Sequence, residues 1–157
     1  MISSQQEKVV EKLPPIVGAC RVSTNIRDDI NPGTDDSYPA GFVVHNGLLY
    51  FSAYDDTRGT ELWSFDGTTV TPLAEVQSGS DHGVQDDELV SGPDGIYFSG
   101  ANSDRDPELY RYDPDTDTHH QLSNFMDTAE KIREITIVGN DVFFRMTDDD
   151  DEYDFLY

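Results

Sequence analysis

Cysteine and lysine are both scarce in this chain. Cys20 is the single cysteine among 157 residues, which excludes an intrachain disulfide and a cysteine-based metal cluster. The only lysines are Lys8, Lys12 and Lys131, and the 10 basic residues face 32 acidic ones, for a formal net charge of -22. Nucleic-acid binding needs a basic surface to neutralise phosphate, so this class of function is excluded.

Long apolar runs are also missing. No run approaches the roughly 20 residues that a membrane-spanning helix requires, so we predict no membrane span. The first residues, 1–7, lack the basic and apolar regions of a secretory signal. On this ground alone the expected location is the cytoplasm.

Aspartate supplies most of the negative charge. Aspartate favours turns because its side chain caps the local backbone, but turn formation does not require a shortage of lysine. Abundant aspartate with little lysine also indicates a halophilic protein, since high salt screens self-repulsion. Both interpretations stay open, and the acidity favours cations, basic proteins or neutral ligands as partners.

Two markers reveal a repeat with a period of 46 to 47 residues. The first is the triplet Leu49-Tyr50-Phe51, and the second is Glu61-Leu62-Trp63. A period of this length that carries several short strands is typical of a β-propeller. The later copies of the two markers are Ile96-Tyr97-Phe98, Val142-Phe143-Phe144, Glu108-Leu109-Tyr110 and Leu156-Tyr157.

Turn signals divide each copy into short strands. Asn46-Gly47 and Asp66-Gly67, for example, favour two-residue hairpins. Four antiparallel strands joined by hairpins form one propeller blade, so we predict an all-β propeller with about three four-stranded blades per chain. The predicted strands are 41–44, 48–53, 61–65 and 70–76 in copy 39–77; 88–91, 96–99, 109–112 and 121–125 in copy 86–126; and 134–138, 142–146 and 155–157 in the partial copy 134–157.

The fourth strand that the third copy lacks has a counterpart at the other end of the chain. Residues 22–30 resemble the fourth strand of the first copy, because Ile26 precedes Leu73 by 47 residues and Gly33 precedes Gly79 by 46. Three blades are too few to close a propeller. We therefore predict a homodimer that closes a six-bladed ring, in which each chain lends its first strand to the other. The alternative is that the chain is a fragment of a longer propeller.

Residues 1–19 form an N-terminal extension that precedes the repeat domain, residues 20–157. The segment 5–13 carries Val9, Val10 and Leu13 on one helical face and is followed by Pro14-Pro15. This pattern predicts a short amphipathic helix. Two roles stay open, namely packing on a neighbouring subunit and serving as a disordered leader.

The segments Asp29-Ile30-Asn31-Pro32-Gly33, Leu49-Tyr50-Phe51-Ser52-Ala53 and Glu61-Leu62-Trp63-Ser64-Phe65-Asp66-Gly67-Thr68 resemble the ELWxxDGT repeats of bacterial and archaeal proteins. The resemblance covers residues 29–77 well and is looser in the second and third copies. It implies propeller blades, a binding or structural role, and a location outside the cell or on a particle surface. It carries over no catalytic residue.

Acidic residues cluster in loops that a propeller would bring to one end, namely those after the second and fourth strand of each blade. Clustered carboxylates suit hard cations such as calcium, which takes six to eight oxygen ligands. They would also focus a negative potential on a basic partner. A solvated, salt-tolerant surface is the alternative. The candidate metal ligands are Asp55, Asp56, Asp104, Asp106, Asp148, Asp149 and Asp150, with calcium as the candidate cofactor.

Other residues of metal-binding type favour structural roles. Residues 113–117 alternate aspartates but lack the glycine and the distant glutamate of a calcium loop, so we predict a hairpin turn. His119 and His120 would point to opposite faces of a strand, where they could not grip one ion. His45 and His82 lie in different copies, and we interpret them as structural or surface residues.

No motif predicts catalysis, since neither a Gly-x-Ser-x-Gly elbow nor a phosphate-binding glycine loop occurs. The function that these patterns favour is a non-enzymatic binding or structural module that assembles by strand exchange and presents an acidic loop face. The alternatives are a lectin-like or adhesive carbohydrate binder and a metal-dependent hydrolase or lyase with a central acidic pocket. The repeating aromatic residues are predicted to form the core between blades; they are Tyr50, Phe51, Trp63, Tyr97, Phe98, Tyr110, Phe143, Phe144 and Tyr157.

Overall fold

A computed structural model describes residues 29–33, 35–125, 131–147 and 154–156. These residues form eleven β-strands in three antiparallel sheets and contain no helix, which confirms the all-β prediction. The predicted helix at 5–13, most of the predicted strand at 22–30, and the candidate ligands Asp148, Asp149 and Asp150 lie outside the described residues. The described end of the 22–30 segment, Asp29 and Ile30, is not in a strand.

Each sheet contains strands that are consecutive in the chain. The order is β1-β2-β3-β4 in the first sheet, β5-β6-β7-β8 in the second and β11-β10-β9 in the third. The strands are β1 (Ala40–His45), β2 (Leu48–Asp55), β3 (Gly59–Phe65), β4 (Val70–Pro72), β5 (Val84–Gly92), β6 (Gly95–Ala101), β7 (Pro107–Asp113), β8 (Thr118–Gln121), β9 (Lys131–Val138), β10 (Asp141–Thr147) and β11 (Asp154–Leu156).

Strand pairing preserves the sequence repeat. Phe51 is opposite Trp63 in the first sheet, and Phe98 is opposite Tyr110 in the second. Asn46 and Gly47, with φ of 48° and 85°, form the predicted two-residue turn between β1 and β2. Positive φ at both positions is what a type I′ hairpin needs, and it matches the twist of the two strands.

The fourth strands differ from the prediction. They are short and end early, because β4 stops at Pro72 rather than Val76 and β8 covers Thr118–Gln121 rather than 121–125. Leu73 and Leu122 still donate to the neighbouring strand, whereas backbone N–H groups farther along the chain donate to buried carboxylates. Val76 and Gln77 donate to Glu61, and Phe125 donates to Glu108.

The sheets pack face to face in chain order. Tyr50 and Leu62 of the first sheet meet Leu89, Ile96 and Phe98 of the second in one buried cluster. On the opposite face of the second sheet, Tyr97 and Leu109 meet residues of the third sheet, which are Ile132, Ile135 and Phe144. Burial of each large side chain contributes about 1.5 to 3 kcal/mol, so these two layers hold the sheets together.

Gly59, at the start of β3, is predicted to resist substitution. Its φ is +69°, and a Cβ there would run into the backbone carbonyl of Asp81. Gly47 has a similar φ of +85°, but a Cβ there would meet nothing within 4 Å. We expect Gly59→Ala to lower the free energy of unfolding by about 2 kcal/mol and Gly47→Ala by about 1 kcal/mol or less. Urea denaturation of both variants measures the difference, and equal losses would contradict the proposed backbone clash.

Candidate functional site

Connections between strands gather at two ends of the sheets. One end holds the loops after the second and fourth strands and is called the loop end here; residues 56–58, 73–83 and 102–106 belong to it. The other end holds the hairpin turns and is called the turn end; residues 46–47, 66–69, 93–94 and 114–117 belong to it. Hydrogen bonds connect loops of different strands at the loop end, so it forms one continuous surface.

Two side chains at equivalent repeat positions stabilise the loop end through hydrogen bonds. Asn31 is buried, and its side chain accepts from the Asp56 N–H at 3.0 Å and donates to the Asp56 carboxylate at 3.4 Å. Gln77, 46 residues later, donates to the carbonyls of Ala101 and Asn102 at 2.8 and 2.7 Å. Each therefore joins the segment that enters a sheet to the loop after that sheet's second strand.

The most buried carboxylates of the described residues are Glu61 and Glu108, which begin the two complete ELW/ELY motifs. Glu61 accepts the N–H groups of Val76 at 2.9 Å and Gln77 at 3.1 Å. Burial raises the pKa of Glu61 to about 7, although these two hydrogen bonds oppose the shift. Glu108 accepts the Phe125 N–H at 2.7 Å and the Ser123 hydroxyl. Both carboxylates hold the loop that leaves the sheet.

Four of the predicted metal ligands, Asp55, Asp56, Asp104 and Asp106, lie in the described chain. Asp55 accepts from the Thr57 N–H at 2.8 Å, and hydrogen bonds from Thr57 hold the pKa of Asp55 below its usual value. The backbone N–H groups of Asp104 and Asp106 donate to the Asn102 side-chain oxygen, at 2.9 and 3.0 Å. Within the described ranges, no group of three or more histidine, cysteine, aspartate or glutamate side chains could hold a metal ion.

Residues 114–117 form the predicted hairpin turn between β7 and β8. The Asp113 carboxylate accepts from the Asp115 N–H at 2.9 Å, and the Asp117 carboxylate accepts from the Tyr112 hydroxyl at 2.9 Å. The Asp117 carboxylate also accepts the Ala74 N–H of the first sheet at 3.0 Å. These aspartates therefore stabilise the turn and join two sheets.

The histidines have protein partners. His45 is buried and bonds the Ser91 hydroxyl through Nδ1 at 2.9 Å. His82 accepts the Thr60 N–H at 3.1 Å. His119 packs against Tyr110 with 5.9 Å between ring centroids, and burial lowers its pKa. His45 and His82 thus join neighbouring parts of the chain, which the sequence pattern did not indicate.

A charged cleft of about 380 Å³ lies between the first strands of the second and third sheets. Asp87, Glu88, Arg133 and Glu134 line it. The Glu88 carboxylate accepts the Glu134 N–H at 2.6 Å, and the Glu134 carboxylate pairs with Arg145 at 3.4 Å. Because an arginine lines the cleft and another pairs with one of its carboxylates, this is a mixed-charge site rather than an isolated acidic pair.

An apolar groove of about 310 Å³ covers the outward face of the first sheet. Its floor includes Leu49, Phe51 and Phe65, and Phe42 stacks on Phe51 with 5.6 Å between centroids. Phe42 is 59 % exposed. Ile30, close to the start of the described chain, lines one side. With Phe42 exposed among these apolar residues, the groove is a candidate binding surface.

The outward face of the third sheet also exposes apolar side chains. Phe143 is 38 % exposed and Val138 is 60 % exposed. The prediction that the repeating aromatic residues are core is confirmed at Tyr50, Phe51, Trp63, Tyr97, Phe98, Tyr110 and Phe144, all of which are buried. It is wrong for Phe143, because among the described residues no further sheet covers that face. Tyr157 lies outside the described residues.

Comparisons with protein-family models, with curated proteins and with solved structures found no match. The resemblance to ELWxxDGT repeats therefore stays a prediction based on the residues quoted above. In the described ranges there is also no helix with the length and apolarity of a membrane span.

Sequence reasoning missed two features of this site. Glu61 and Glu108 marked the repeat, but their burial beneath a loop was not foreseen. The signal was present, because a charged residue that recurs within an apolar motif needs a structural partner when it is buried. The groove was also not predicted. Phe42 and Phe51 stand at the repeat positions that Leu89 and Phe98 occupy in the second copy.

Proposed function

We propose that this chain is a non-enzymatic binding or structural module built from propeller-type blades, which presents an acidic loop end to its partners. The packing of successive antiparallel sheets through repeat-equivalent residues supports the blade architecture. The main support for a binding role is how the polar side chains are used. Glu61, Glu108, Asn31 and Gln77 hold loops in place, while other carboxylates at the loop end face solvent.

The charge of the loop end favours a cationic macromolecule as partner. Its basic side chains in the described loops are Arg58, which pairs with Glu75 at 3.1 Å, and Arg105, which pairs with Asp81 at 2.9 Å. Both therefore already have carboxylate partners. The exposed acidic residues of this end, together with those of the segment before β1 that Asn31 joins to it, are Asp29, Asp35, Asp36, Asp56 and Asp104. Such a surface attracts positive charge and repels nucleic acid.

We propose further that the module works as a homodimer with six blades, in which residues 22–28 complete the partner's three-stranded third sheet. Ile30 supports this arrangement. It packs against the outward face of the first sheet, as Val76, 46 residues later, packs against the second. Ile30 therefore lies on the first sheet where a residue that follows the fourth strand of a preceding blade would lie. Because both copies are acidic, salt should strengthen the dimer.

The carbohydrate-binding alternative has less support. The repeated aromatic residues of the described sheets are buried, apart from Phe143, so they do not form a series of exposed stacking platforms. The hydrolase alternative would need a carboxylate pair in a central pocket. The two buried glutamates instead lie in separate sheets, each bonded to a loop.

Charge neutralisation at each end tests the binding proposal. We expect Asp36→Asn with Asp104→Asn to weaken binding of poly-L-lysine about fivefold, since two exposed charge contacts contribute about 0.5 kcal/mol each. Asp115→Asn with Asp141→Asn removes the same charge at the turn end and should change affinity less than about twofold. Titration calorimetry at low and high salt measures both. Equal weakening by the two double variants would refute a specific role for the loop end.

A further inference from the structure

The groove on the first sheet is the repeat equivalent of a surface on the second sheet. That second surface is buried inside the molecule, whereas the groove includes exposed residues. Four of its lining residues are Phe42, Leu49, Phe51 and Phe65. The residues 47 positions later are Leu89, Ile96, Phe98 and Tyr112, and all four belong to the cluster between the first and second sheets. Leu89 is only 8 % exposed, compared with 59 % for Phe42. The groove thus has the composition of a sheet-to-sheet interface of which the described residues form only one layer.

The outward face of the third sheet has the complementary pattern. Phe143 lies at the repeat position of Tyr50 and Tyr97, which are 2 % and 7 % exposed because each packs on the sheet that follows it. Val138 lies at the position of His45, which bonds Ser91 of the following sheet. Phe143 and Val138 therefore occupy positions that elsewhere contact the next sheet.

One aromatic contact shows how the two outward faces would meet. Inside the molecule, Tyr50 of the first sheet contacts Tyr112 of the second, with 6.1 Å between ring centroids. The repeat equivalents of these two residues are Phe143 on the third sheet and Phe65 in the groove. An aromatic pair of this kind contributes about 0.5 to 1.5 kcal/mol beyond the area that it buries.

We propose that the occupant of the groove is the third sheet of a second copy of this chain, with Phe143 of one copy packed on Phe65 of the other. The interface continues the stacking already present between the first and second and between the second and third sheets. It joins two different surfaces, so two copies make two such contacts when the ring closes. This inference rests on the proposed blade architecture and dimer. It adds that the first sheet of one copy contacts the third sheet of the other.

Single-cysteine chains test the pairing of faces. In a Cys20→Ser background, one chain carries Phe65→Cys and the other carries Phe143→Cys. The two are mixed in high salt, left to exchange and exposed to a short bismaleimide crosslinker. We expect the mixed covalent dimer to form at least tenfold faster than either homodimer. A chain with Leu122→Cys, outside both faces, replaces the Phe143→Cys chain as a matched control and should crosslink at the background rate.

Sedimentation of the unmodified chain is measured in parallel and separates the outcomes. A mass of twice 17.6 kDa together with the mixed crosslink supports both proposals. A dimer that crosslinks only through Phe65→Cys pairs would keep the dimer but overturn this pairing, because the grooves would then face each other. A dimer with neither crosslink would also overturn it. A single-chain mass at all concentrations would overturn the dimer itself.

Discussion

Leu62→Ala is expected to lower the free energy of unfolding by about 3 to 4 kcal/mol, the largest effect of a single substitution that we predict. Leu62 is 0 % exposed and lies in the cluster that joins the first and second sheets. Its loss removes buried apolar surface and leaves a cavity that rigid strands on both sides can fill only in part. Urea denaturation followed by tryptophan fluorescence measures the change, since Trp63 is adjacent in β3.

Leu122→Ala is the matched control for this prediction. It removes the same atoms from a side chain that is 48 % exposed, while the backbone bond from Leu122 to Leu109 is kept. We expect a loss of about 1 kcal/mol or less. Losses of similar size in the two variants would show that the layer between the first and second sheets does not hold the fold together.

Glu61→Gln is expected to remove most of the pH dependence of the free energy of unfolding that titration of Glu61 causes. The pKa of Glu61 is raised from 4.5 to about 7, so the folded state binds its proton more tightly than the unfolded state. The stability that this proton supplies is complete below about pH 4.5 and is lost as pH rises through 7. For wild type, this group alone should lower the free energy of unfolding by about 2 to 3 kcal/mol between pH 5 and pH 8.

The glutamine variant cannot titrate at this position, and its single amide oxygen can accept only one of the two backbone N–H groups. The difference in stability between wild type and variant should therefore shift by about 2 to 3 kcal/mol over that pH range, to the disadvantage of wild type at high pH. Glu75→Gln is the control, because it removes a neighbouring partly exposed carboxylate and leaves Glu61 buried. A constant difference between wild type and Glu61→Gln would contradict the raised pKa.

Sequence periodicity predicted the sheets because it reflects packing that repeats. The markers at 49–51 and 96–98 fall on β2 and β6, and the Asn46-Gly47 turn forms where the positive φ of those residues is needed. The ends of the fourth strands could not be predicted in this way. Glu61 and Glu108 compete for the backbone N–H groups there, and a contact between residues about 15 apart leaves no local pattern.

The candidate site was harder to predict than the fold. Asp55 and Asp104 were interpreted as metal ligands, because carboxylates in loops suit both cations and turns. The hydrogen bond from the Thr57 N–H gives the Asp55 carboxylate a turn role, whereas the one at Asp104 involves only the backbone N–H. The groove was not predicted because Phe42 and Phe65 have the sequence pattern of ordinary core residues. Only the three-dimensional order of the sheets shows that, in the described part of the chain, no further sheet covers the outward face of the first one.

The buried glutamates also bear on how such a chain arises and folds. Glu61 reaches a residue 15 positions along the chain, and Glu108 reaches one 17 positions along. The first and second sheets thus each contain the glutamate that holds their own outgoing loop, and closing so short a loop has a modest entropic cost. A segment of about 47 residues can therefore be duplicated or deleted by evolution as a unit. The glutamate contact lies within the duplicated segment. Each unit can therefore fold early, before distant parts of the polypeptide have been synthesised.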